Sequence, residues 1–167
     1  MHCPACNLSD RAGRIRAFVV RSLNRAVSSG RLREHGRDPA MVKGVEFTDV
    51  REFEKEMNRM PNFALHELAH AYHDRVLPDG FENEEIKDAF ERAKASKKYD
   101  KVERWFGNGK PNAFERAYAM TNPQEYFAEA SEAFFGRNDY FPFTAAELKT
   151  HDPQLFALLE RLWQAKG

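Results

Sequence analysis

His66-Glu67-Leu68-Ala69-His70 decides how this chain is read. The five residues spell H-E-x-x-H inside a stretch with helical apolar spacing. Two histidines four apart project from one face of a helix, close enough for both imidazoles to reach one metal ion. The glutamate between them falls beside that point, where its carboxylate can take a proton from water. Zinc is the ion this pattern suits, and it lowers the pKa of its water from about 15.7 to about 7. A chance match on an ordinary helix is the competing explanation, so the surrounding sequence has to decide.

Immediately around the motif, Pro61 stops a preceding helix and Asn62 can cap the next, predicted from about Phe63 to Val76. Leu65, Ala69, Tyr72 and Val76 fall at i, i+4, i+7 and i+11, which predicts a buried stripe. His66, His70 and His73 then occupy the neighbouring face, open to a cleft. Pro78-Asp79-Gly80 closes the segment in a turn.

Upstream, residues 10–27 have weak helical periodicity, and Ser28–Gly30 and His35–Pro39 read as loops. Gly44–Phe47 is a strand candidate, an edge along which an extended peptide can pair. Asp49, with Glu52 three residues on, caps a helix bearing Phe53 and Met57. Downstream, residues 82–98 predict a surface helix with Ile86, Phe90 and Ala93 inside, acidic at its start and basic at its end. Gly107–Pro111 is a loop or hairpin tip. Asn122-Pro123 starts a helix that stops at Gly136, with Asn as cap and Pro at the first helical position. Thr144 with Glu147, and Asp152 with Pro153, start two more, the last carrying Leu155, Leu158, Leu159, Leu162 and Trp163.

The 167 residues, 42% of them hydrophobic, suffice for one sizeable core, and 14 Phe argue against a disordered chain. A formal net charge of zero provides no global field for nucleic acid or an anionic membrane. Residues 1–37 are locally basic, with eight Arg against Asp10 and Glu34. That arm carries only Phe18 as an aromatic and no nucleic-acid motif, so a solvated flank is expected. Cys3 and Cys6 form a lone C-x-x-C beside His2; a zinc ribbon needs a second pair, and none follows. No apolar run approaches the roughly 20 residues that span a bilayer. No export signal is visible either, and the location is left open: secreted if an upstream segment is missing, otherwise cytoplasmic.

Two histidines leave a catalytic zinc one protein ligand short. The metzincin extension fails, because His73 stands where Gly is required and Val76 where the third His belongs. A carboxylate from a second helix is the alternative, and Asn122–Ala130 offers Glu125 and Glu129 on one face. One can ligate the ion while the other orients a ligand histidine through its free N–H. Solvent-facing charges are the plainer explanation for such a pair, but this helix is aromatic-rich, with Phe127, Phe134 and Phe135 beside them.

Glu125-Tyr126-Phe127-Ala128-Glu129-Ala130 resembles the E-[FY]-F-A-E-A segment of the anthrax lethal factor-like metallopeptidases, which include the Pro-Pro endopeptidases. The resemblance covers roughly residues 41–143 and implies Glu125 as third zinc ligand. It also implies a tyrosine seven positions earlier that stabilises the tetrahedral intermediate, and Tyr118 stands there. The stretch Tyr118–Phe127 also looks like a branch of zinc peptidase-like proteins, many of them secreted.

The expectation is thus a mostly helical α+β zincin-like domain over residues 38–167, with a small sheet beside the H-E-x-x-H helix, behind a basic extension over 1–37. It predicts a gluzincin-type zinc metalloendopeptidase holding one Zn2+ by His66, His70 and Glu125. Glu67 is the general base and Tyr118 the oxyanion donor. The expected partner is a peptide or protein substrate, with no nucleic acid, no membrane, and a monomeric state. Two rivals share the metal: a silent zinc-containing binding module, against which Glu67 and Tyr118 count, and a hydrolase of a non-peptide amide.

Overall fold

The structure is a computed structural model that describes Gly36 and residues 57–164 apart from Arg59 and Asn108. The expectations for the basic helix 10–27, the strand 44–47, most of the helix after Asp49 and the cysteine pair lie outside the described residues.

Helix α1 (Phe63–Arg75) carries the H-E-x-x-H motif and is followed by the turn at Pro78–Gly80. Asp79 and Gly80 both take positive φ there, and a side chain on Gly80 would meet the Asp74 carbonyl. Helix α2 (Glu84–Ser96) starts where Asn83 Oδ1 accepts the Ile86 amide at 3.1 Å, and it buries Ile86, Ala89, Phe90 and Ala93. A hairpin of β1 (Val102–Arg104) and β2 (Ala113–Glu115) comes next, paired antiparallel with Glu103 opposite Phe114. A 3-10 turn at Tyr118–Met120 leads into α3 (Pro123–Phe135), and α4 (Ala145–His151) and α5 (Pro153–Leu162) end the described chain.

Helix α3 is the hub, packed against α1, α2, α4 and α5. All eight residues from Tyr126 to Ala133 are buried, because neighbours cover every side of its middle. Ala128, Ala130 and Ala133 keep those neighbours close. The α5 leucines 155, 158, 159 and 162 close the far side. Each such burial is worth about 1.5–3 kcal/mol. This is the mostly helical α+β architecture that the sequence predicts, with a two-stranded sheet. The sheet is anchored to the segment after α3, where Trp105 N donates to Asp139 O and Phe141 N to Glu103 O, each at 2.8 Å. None of the described helices is long and apolar enough to cross a membrane.

One expectation needs correcting. The buried side of α1 is Phe63, His66, Ala69, His70 and His73; of the expected stripe Leu65, Ala69, Tyr72 and Val76, only Ala69 is among them. Val76 lies past the helix end and is 60% exposed, while Leu65 and Tyr72 are half-buried. His66 and His70 can go inward because carboxylates of α3 meet them, and a buried polar group with a partner escapes most of the desolvation penalty; His73 packs among aromatic rings instead. Tyr72 instead stacks on Trp163 and donates its hydroxyl to Leu162 O at 2.8 Å.

Candidate metal centre

The site lies between α1 and α3. On α1, the four-residue spacing brings His66 Nε2 and His70 Nε2 to 3.1 Å of each other. On α3, Asn122 caps the helix by accepting the Glu125 amide at 2.8 Å, with Pro123 at the first helical position. That cap puts Glu125 in the first turn, where the helix dipole favours an anion. Glu125 Oε2 stands 2.9 Å from His66 Nε2 and 3.3 Å from His70 Nε2. Burial alone would raise the Glu125 pKa, but hydrogen bonds to His66 and His70 bring it down to about 2.

Three donor atoms from two helices thus converge on one point. Two imidazole nitrogens and a carboxylate oxygen are a donor set that suits a divalent cation such as zinc, and their close approach gives a shared ion a natural place. The residues therefore fit a bound metal.

Behind His66 lies a second layer. His66 Nδ1 is 2.8 Å from Glu132 Oε1 and 3.7 Å from Glu129 Oε1. Glu129 and Glu132 are both fully enclosed. Burial pushes the Glu129 carboxyl well up, with the Glu132 charge adding to it; burial also raises Glu132, against the pull of its bond to His66. His66, Glu129 and Glu132 make a second close group of possible metal donors, sharing His66 with the first. Keeping such carboxyls inside costs several kcal/mol per ion before compensation, which is characteristic of functional sites.

Asn62 has a role different from the one its position suggests. Its side chain makes no cap on α1. It donates instead to Glu132 O at 3.2 Å and Arg137 O at 2.9 Å, tying the start of α1 to the end of α3. Gly136 leaves the room for this, since a Cβ there would run into the Asn62 side chain.

Glu67 is half-buried on α1 next to His66. Tyr118 is 46% exposed at the start of the turn before α3. Partial burial and then the charges of Glu125, Glu129 and Glu67 raise its pKa, so its phenol lies in the field of those three carboxylates. His73 does not face a cleft. It is completely buried with Phe81 and Phe127 against its ring, neither ring nitrogen has a hydrogen-bond partner among the described residues, and burial first, then His70, lowers its pKa to about 4. Sequence reasoning missed Glu132. Its signal was the spacing Glu125, Glu129, Glu132, at i, i+4 and i+7 on one helix face.

A family model described as glucose-regulated metallo-peptidase M90 matches residues 20–164. No curated protein and no solved structure matches the chain.

Proposed function

The chain belongs to the M90 family of metallopeptidases, and from that premise we propose that it is a zinc-dependent endopeptidase of gluzincin type. The observation that carries this reading is the convergence of His66 Nε2, His70 Nε2 and Glu125 Oε2 within 3.3 Å of one another. These three residues would hold the ion. Bound there, zinc polarises the scissile carbonyl and makes water acidic enough to deliver hydroxide near neutral pH.

The chain's own residues do the rest. Glu67 adjoins the first ligand histidine in sequence, and its carboxylate takes the proton of the attacking water and passes it to the leaving amine. Glu125 brings negative charge from a capped first turn, where helix and histidines keep it ionised. The Tyr118 hydroxyl remains protonated at neutral pH, its pKa raised, and so can donate to the oxyanion as it forms. Its exposure leaves it accessible to a substrate. The resemblance of Glu125–Ala130 and Tyr118 to lethal factor-like peptidases supports the same roles.

Glu67→Gln tests the mechanism. The variant should fold, keep its zinc and lose most peptide hydrolysis, because an amide cannot accept the proton. Undiminished turnover by a pure, metal-loaded Glu67→Gln preparation would sink it.

A further inference from the structure

We propose that Glu132 is the positioning residue of this centre: its carboxylate holds His66 by Nδ1–H, so that Nε2 stays bare and aimed at the ion. This rests on the metal reading of His66, His70 and Glu125.

The geometry separates Glu132 from its neighbour. Glu132 Oε1 is at hydrogen-bond distance from His66 Nδ1, 2.8 Å, whereas Glu129 Oε1 at 3.7 Å is beyond it. Glu132 follows Glu125 by seven residues, close to two helical turns, so one face of α3 supplies a carboxylate to each end of the same imidazole. Glu125 meets Nε2 and Glu132 meets Nδ1. The backbone adds a second tie, because the Glu132 carbonyl accepts from Asn62, the residue just before α1. Glu132 is therefore fixed relative to the helix whose histidine it orients.

His70 is held differently. Its Nδ1 has no hydrogen-bond partner among the described residues, and the ring meets Phe81 edge-on at 6.4 Å. The two histidines are unequal: His66 is locked by a charge-assisted hydrogen bond, His70 by packing. A carboxylate on the far nitrogen fixes the tautomer and makes the ring a better donor to metal. A core that needed only volume at position 132 would do better with an apolar side chain.

The test titrates zinc against a chromophoric chelator in the wild type, Glu132→Gln and Glu129→Gln. Glu132→Gln should weaken zinc binding 10–100-fold. A neutral amide grips the ring less firmly, and its NH2 can donate to Nδ1 and drive the ring proton onto Nε2. Glu129→Gln alters a carboxyl on the same face that lies beyond hydrogen-bond distance of His66 Nδ1, so its affinity should fall by less than that of Glu132→Gln. Proton NMR of the zinc-loaded protein adds a signature that a merely structural residue would not move. A downfield, exchange-protected His66 Nδ1–H should appear in the wild type and Glu129→Gln, and shift upfield or vanish in Glu132→Gln. If Glu132→Gln does not fold, the signal in the other two proteins still decides, and its absence there overturns the proposal. Equal affinity in Glu132→Gln, or a larger loss in Glu129→Gln, overturns it as well. A wild type that takes up no zinc overturns the metal reading along with it, whereas a zinc-binding wild type with an unaffected Glu132→Gln overturns the assignment of Glu132 alone.

Discussion

His73 shows what a histidine costs in this core when neither ring nitrogen finds a hydrogen bond among the described residues. Its pKa is lowered to about 4, against 6.5 for a free imidazole, chiefly because burial disfavours the charged ring. Above pH 6.5 folded and unfolded chains both carry it neutral, and it adds no pH dependence. Between 6.5 and 4 the unfolded chain binds the proton and the folded chain does not, so stability falls as pH falls, by up to about 1.4 kcal/mol per pH unit. The buried carboxyls of Glu129 and Glu132 act in the opposite sense, so the test is a comparison: in urea unfolding of metal-free protein, wild type should lose more stability between pH 7.5 and pH 5 than His73→Phe does. Equal losses in both proteins would mean that the ring finds a proton partner. Tyr118 makes a different prediction at the same scale. If its hydroxyl meets the oxyanion only as it forms, Tyr118→Phe should lower kcat on the order of 10²–10³ and leave KM nearly unchanged. Bound zinc should not change. A less stable but fully active variant would make Tyr118 a structural residue.

Helix ends were the most legible part of the sequence. Asn122 with Pro123, Thr144 with Glu147, and Asp152 with Pro153 all cap as their order predicts, because a cap is settled within three or four residues. The start of α1 at Phe63 was legible too, but the cap bond was not. Asn62 gives its amide to Glu132 of α3 and to Arg137 just past it, 70 and 75 residues further on. The buried face of α1 was hidden for the same reason. Whether a helical histidine is received inside depends on groups far along the chain: the carboxylate partners of His66 lie 59 and 66 residues away. The three-residue strands of the hairpin were too short to show alternation, although the loop between them could be read. The link between α1 and α3 yields its own prediction. Gly136→Ala places a methyl group against the Asn62 side chain and disrupts its two bonds, which should cost about 1–3 kcal/mol. In Asn62→Ala, Gly136→Ala should cost much less. Additive losses in the double variant would show that the two positions act independently.

Across the whole molecule, one ion would join α1 to the hub helix, so metal and fold should be linked. Binding to the folded state alone adds about 4 kcal/mol when free zinc is 1,000 times its Kd. Chelation should therefore lower Tm, and re-added zinc should restore it. The fold class could be read from caps and helical periods because α3 has few ways to bury its middle. The candidate donors could be read only because the H-E-x-x-H spacing and the Glu125 segment each carry a local signature, while their meeting is a property of the tertiary fold. Metal analysis of the purified protein, before and after chelator treatment and again after zinc is restored, probes the His66, His70 and Glu125 centre itself. About one zinc per chain is expected, removed by the chelator, regained on addition of zinc, and poorly retained in Glu125→Gln. Folded wild-type protein that holds no zinc at any stage, or Glu125→Gln that retains it as firmly as wild type, would contradict a zinc centre built from His66, His70 and Glu125.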